Sequence, residues 1–144
     1  MEPGTHYLIA GCGDKEEELK AVAKEQQVDL RLLGYRTDIQ ELLRMADVFV
    51  FPSYREGLSA SLMEAMSCGL PCVVSKIRGN VDLIDDGKGG YLCEPGNADE
   101  FTKAIKRTKN MNARRRMGKW NREKIKHFSK AIVMEKIMDI YAIQ

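Results

Sequence analysis

The stretch Pro52-Ser53-Tyr54-Arg55-Glu56-Gly57-Leu58-Ser59-Ala60-Ser61-Leu62-Met63-Glu64-Ala65-Met66 joins an apolar run, Val48-Phe49-Val50-Phe51, to a helical pattern that starts near Ser61. A strand that turns through Gly57 into a helix leaves unpaired backbone N–H groups and the positive end of the helix dipole facing whatever sits above the turn. Phosphate is the guest such a turn suits, and Gly57 lets it approach the backbone closely.

Two carboxylates, Glu56 and Glu64, flank this helix start, eight residues apart. Eight residues span roughly 12 Å if helical, against the ~5 to 9.5 Å that separates the paired carboxylates of glycoside hydrolases. The spacing therefore suits acids gripping two ends of one long, phosphate-bearing ligand. Glu64 has a competing structural role of equal weight, because Ser61-Leu62-Met63-Glu64 also reads as a capping box. Glu56 has no helix to cap and would otherwise be a solvated loop acid.

Outward from this stretch, short apolar runs alternate with helical patterns, the signature of a parallel sheet covered by helices on both faces. Strands are expected at Tyr7 to Ala10, Val28 to Leu33, Val48 to Phe51, Cys72 to Val74 and, weakly, Tyr91 to Cys93. The helix after the first strand should turn Leu19, Val22 and Ala23 inward, and Asn97-Ala98-Asp99-Glu100 reads as a capped helix start. Gly11-Cys12-Gly13, Gly34-Tyr35-Arg36, Ser53 to Ser59 and Ser75 to Gly79 each follow the carboxyl end of a strand, where open parallel sheets bind ligands. Gly11 and Gly13 alone are a weak dinucleotide signal. No acid closes the next strand, which argues against a nicotinamide enzyme.

The 144 residues suit one domain, without a signal-peptide layout or a membrane-length apolar run, so a cytoplasmic location is expected. Cys12, Cys68, Cys72 and Cys93 lack metal-like spacing and read as reduced thiols, with zinc a remote alternative. Charge is divided along the chain. Residues 1–102 hold 10 Lys/Arg and 18 Asp/Glu, residues 103–144 hold 13 and 3. The basic region reads first as a solvated helical face, and second as a contact with anionic lipid at the inner membrane surface. Nucleic acid is not expected, because Trp120 and Phe128 share a helical face with Met117 and Ile125 and read as core.

The order of Gly34-Tyr35-Arg36-Thr37-Asp38, Ala46 to Ser53, the Glu56-x7-Glu64 element, Glu64-Ala65-Met66-Ser67-Cys68-Gly69-Leu70-Pro71-Cys72-Val73-Val74 and Gly87-Lys88-Gly89-Gly90-Tyr91-Leu92 resembles the C-terminal, donor-binding domain of GT-B fold, family 4-type retaining glycosyltransferases. The resemblance spans nearly the whole chain. It implies a Rossmann-like α/β domain that holds a nucleotide diphosphate sugar, in a parent enzyme that moves a hexose to a glycan or lipid-linked acceptor with retention. By the same resemblance, Glu64 meets the ribose hydroxyls and Glu56, the candidate catalytic residue, the sugar hydroxyls. Ser53, Gly57, Leu58 and Ser59 face the sugar and diphosphate, Ser61 and Leu62 add helix-start amides, and Tyr35 and Arg36 line the base pocket, with Gly11 and Gly13 on the neighbouring loop. No Asp-x-Asp occurs, and neither a metal nor another cofactor is expected.

The family's first strand, its basic phosphate loop and its acceptor-binding domain have no counterpart here, so the chain is expected to be a single-domain fragment of a two-domain enzyme. Arg55, Lys76 and Arg78 are candidate substitutes for the lost cations, without supporting spacing. The alternative class is a nucleotide-binding or membrane-surface module without turnover. In the doubly wound strand order the first strand is central. Its loss predicts either direct pairing of Tyr7 to Ala10 with Val48 to Phe51 or a homo-oligomer that fills the gap.

Overall fold

The structure is a computed structural model that describes residues 4–142. The chain resolves into two compact units, residues 1–41 and 42–144.

In the first unit, β1 (His6–Ile9) and β2 (Asp29–Leu32) form a parallel pair with His6 opposite Asp29 and Ile9 opposite Leu32. Between them, α1 (Glu16–Glu25) carries three acids in its first turn and Lys24 in its last, the polarity its dipole favours. The expected inward face of α1 is not realised: Leu19 is 38% and Val22 51% exposed, and no residue of the helix is buried. Two four-residue strands offer too little apolar surface to cover a ten-residue helix.

The helix α2 (Ile39–Met45) leads into the second unit, which holds all the buried residues among those described. Its strands β3 (Phe49–Phe51), β4 (Cys72–Ser75) and β5 (Gly90–Cys93) form a parallel sheet in the order β3-β4-β5. Every residue of β4 is buried, as befits a central strand with neighbours on both edges. The helices are α3 (Ala60–Cys68), α4 (Asn80–Leu83), α5 (Ala98–Arg107), α6 (Met111–Ile125) and, after a 3-10 turn at Lys126–Phe128, α7 (Lys130–Ala142). Val73, Cys93, Phe101 and Ala104 make one core cluster, and Leu62, Met66, Leu83 and Ile84 are also sealed from solvent. Each such aliphatic side chain adds about 1.5–3 kcal/mol to stability.

Local cues account for the helix ends. Asn97 caps α5 by accepting from the Glu100 amide at 3.2 Å, the capped start expected from the sequence, and the Glu100 carboxylate accepts from the Asn97 side-chain amide and the Glu94 amide. Asn121 on α6 donates to the carbonyls of Leu70 and Gly89, both at 2.7 Å, and so ties α6 to the segments that enter β4 and β5.

Two expectations are corrected. Among the described residues β1 is laddered to β2 and β3 to β4, so of the two expected outcomes the direct pairing of Tyr7 to Ala10 with Val48 to Phe51 is not the one realised. Each observed ladder joins consecutive strands through their own crossover, which is the cheap way to build a parallel pair. Trp120 is not core either. It is 42% exposed, its Nε1 donates to Asp85 at 2.8 Å and Lys88 lies over its ring, whereas Met117 is buried as expected.

Candidate functional site

The turn between β3 and α3 carries the candidate residues of the second unit. Ser59, in extended backbone (φ −76°, ψ 119°), is the N-cap of α3: its Oγ accepts from the Leu62 amide at 3.4 Å and its carbonyl from the Met63 amide at 3.0 Å. The helix therefore begins at Ala60, and Ser61 and Glu64 stand within it. The Ser61 to Glu64 capping box is not formed, and Glu64 is left exposed with no structural duty. Among the described residues neither Glu56, half-buried on the turn, nor Glu64 makes an ion pair or side-chain hydrogen bond.

Leu62 departs from its expected part. Its amide is taken by the Ser59 hydroxyl and its side chain is fully buried, so it anchors the helix to the core instead of facing a ligand. Ser61 is exposed on the first turn, Leu58 is 54% exposed at the turn's tip, and Ser53 is half-buried at the exit of β3.

The turn is braced from the β4–α4 connection. Gly79 has φ +88°, and a Cβ built there would meet the Gly57 carbonyl oxygen at 1.9 Å, so the two backbones touch with no side chain between them. Behind Gly79, Asn80 is fully buried and donates from Nδ2 to the Ser75 carbonyl at 2.9 Å, which holds the connection to the end of β4. Sequence reading placed Ser75 to Gly79 among the ligand-side turns but missed Asn80. Its only signal was an amide next to a glycine at a strand's exit. Of the candidate replacement cations, Lys76 is 3.6 Å from Glu94, while Arg55 and Arg78 stand exposed.

In the first unit, the Gly11 amide donates to the Gly34 carbonyl at 2.8 Å and the two residues form an isolated bridge, which brings the 11–13 and 34–36 loops together. Tyr35 is 82% exposed. Arg36 forks onto Asp38, with Nε at 2.8 Å from Oδ1, and the guanidinium holds the Asp38 carboxyl below the usual carboxylate range.

All four cysteines are free; Cys72 and Cys93 are buried, and burial pushes both thiols up. No helix among the described residues is long and apolar enough to cross a membrane.

Parallel strands, crossover helices and a glycine turn at the exit of β3 that leads into a capped helix are features of doubly wound nucleotide-binding domains, and the fold is that of the C-terminal domain of GT-B glycosyltransferases. The family described as glycosyl transferases group 1 matches residues 1–124, and the chain belongs to it. It is 36% identical to the UDP-Gal:alpha-D-GlcNAc-diphosphoundecaprenol alpha-1,3-galactosyltransferase of Escherichia coli, over 96% of this chain and 37% of that protein. Similarity to the N-acetyl-alpha-D-glucosaminyl L-malate synthase of Bacillus anthracis is 32% identity over 86% of this chain and 33% of the relative. Among solved structures, a mutant of S. aureus TarM in complex with fondaparinux, alpha-GlcNAc-glycerol and UDP superposes with a TM-score of 0.87 at 27% identity, covering 95% of this chain and 29% of that one. The chain thus spans about a third of the length of these relatives.

Proposed function

We propose that this chain holds the nucleotide sugar in a hexosyltransferase whose whole length moves a hexose from a nucleotide diphosphate donor to a glycan or lipid-linked acceptor, with retention and without a divalent metal. The observation that carries this reading is the pair of unengaged carboxylates, Glu56 and Glu64, on either side of a helix start whose cap is supplied by Ser59. Glu64 takes the ribose hydroxyls and Glu56 the sugar hydroxyls, with the diphosphate over Gly57, Leu58 and the first turn of α3. Tyr35 and Arg36 keep the base-lining role that the resemblance gives them. Glu56 orients the sugar, and rate comes from positioning and from stabilising the charge that grows on the departing diphosphate. The names of the relatives, with a UDP-galactose donor in one and bound UDP in another, support a nucleotide diphosphate as the ligand.

Calorimetric titration of the chain with uridine, guanosine and adenosine diphosphates tests the reading. One of the three is expected to bind, and to bind more weakly to Glu64→Gln; silence with all three would overturn it. In a complete enzyme, Glu56→Ala should lower turnover far more than affinity for the bare nucleotide.

A further inference from the structure

The second unit carries a cleft of about 320 Å³ at the end of its sheet opposite the β3–α3 turn, where the chain enters β3 and β4. It is lined by Asp47, by Gly69, Leu70 and Pro71, and by Arg115, Lys119 and Arg122, which stand at i, i+4 and i+7 on α6. Arg114 also borders it, but it pairs with Asp47 at 3.1 Å and donates to the carbonyls of Thr108 and Lys109. That pair is neutral and is accounted for by structure.

The remaining three cations make no ion pair among the described residues: Asp47, which also lines the cleft, is held by Arg114, and Glu123, one turn after Lys119 and within reach of its charge, is bonded to Lys126. Arg122 lies flat on Gly69, where a Cβ would meet its guanidinium at 2.1 Å, and it reaches the Cys68 carbonyl at 3.4 Å. Arg115 and Lys119 are exposed and make no ion pair among the described residues. Helix energetics would place acids in the first turn of α6, at the positive end of its dipole, yet that turn has none and runs into Arg114-Arg115-Arg116. Like charges at i and i+4 repel as well. Such an arrangement raises local positive potential at the expense of the helix, and the planar guanidinium fork suits phosphate oxygens. No exposed aromatic ring lines the cleft, so it lacks the stacking platform a nucleic-acid strand would need.

We propose that this cleft is a second anion site, separate from the β3–α3 turn, which takes a phosphate monoester or diphosphate group on Arg115, Lys119 and Arg122. The test is an amide-resolved NMR titration of the chain with inorganic pyrophosphate at constant ionic strength, paired with flotation on vesicles of phosphatidic acid in phosphatidylcholine and of phosphatidylcholine alone. Saturable shifts at Gly69, Leu70 and residues 114–122 are expected. The double variant Arg115→Gln/Lys119→Gln should weaken them at least tenfold, and the charge-matched control Lys103→Gln/Lys136→Gln less than twofold. Flotation lost in the first variant assigns the phosphate to a lipid headgroup; pyrophosphate binding without flotation assigns it to a soluble ligand. Equal loss in both variants, or shifts confined to residues 57–61, would overturn the proposal. Those last shifts would report the donor turn instead, so the two readings fail separately.

Discussion

The backbone of Gly79 presses directly on the carbonyl of Gly57, leaving no room for a side-chain atom, since a Cβ there would lie 1.9 Å from that oxygen. The contact joins two turns that follow adjacent strands of one sheet, and it fixes where the Glu56 turn can stand.

Substituting Gly79→Ala should therefore displace the turn. The left-handed φ of +88° and the clash together are expected to cost about 1–3 kcal/mol of stability, read from urea unfolding. Nucleotide diphosphate affinity should fall by more than the lost stability explains, because the turn itself moves. Calorimetry on the folded variant measures that part, and an unchanged affinity would show that the brace does not shape the site.

Ser59 and Glu64 separate cap from ligand. Ser59→Ala removes the hydroxyl that accepts from Leu62 and should cost about 1 kcal/mol of stability. Glu64→Gln should leave stability unchanged while weakening nucleotide binding by about 1.5–3 kcal/mol, the worth of a charge-assisted hydrogen bond. Because Gln serves a capping box as well as Glu does, unchanged nucleotide affinity with intact stability in Glu64→Gln would remove the ribose assignment.

Asn121→Ala strips donors from two buried carbonyls at once, those of Leu70 and Gly89. The Gly89 carbonyl keeps the Cys72 amide at 3.2 Å, so the Leu70 carbonyl is the one left without an N–H donor, and the variant should lose about 1–3 kcal/mol on thermal or urea unfolding.

Asp85 accepts from Lys124 and Trp120, each at 2.8 Å, and the Lys124 ammonium holds its carboxyl below the usual carboxylate range. A carboxyl depressed on folding contributes stability that is present above its unfolded pKa and is lost as pH falls through the folded one. Stability should therefore decline on acidification below the ordinary aspartate range, and Lys124→Met should flatten that decline. Urea midpoints at neutral and acid pH give the comparison.

Alkylation at pH 8 should mark exposed Cys12 in the folded chain, while Cys72 and Cys93 react only after denaturant is added. Mass spectrometry of the labelled peptides reads the order.

What the sequence made legible was what its local pattern encodes. The fully buried β4 followed from an unbroken apolar run opened by Pro71, and the α5 cap from Asn97 and Glu100 three residues apart. The α3 cap was misplaced because Ser59 and Ser61 are both competent hydroxyls. The choice between them falls to the core, which needs Leu62, Ala65 and Met66 inward. Trp120 carried the periodicity of a core residue, but Asp85, 35 positions earlier, drew its indole N–H to the surface. The contact of Gly79 with Gly57 left no trace in any window, because it is made between backbones far apart along the chain. Of the candidate site, the carboxylates and their turn were readable; the brace behind them was not.

The helix α3 divides its labour by face, with Leu62, Ala65 and Met66 sealed in the core while Ser61 and Glu64 look outward, and with Tyr54 and Leu58 on the preceding turn 75% and 54% exposed. On the donor reading proposed above, ligand preference is set by side chains whose replacement spares the buried face of α3. A library randomised at positions 54 and 58 is therefore expected to shift donor preference while most members keep the parent's urea midpoint.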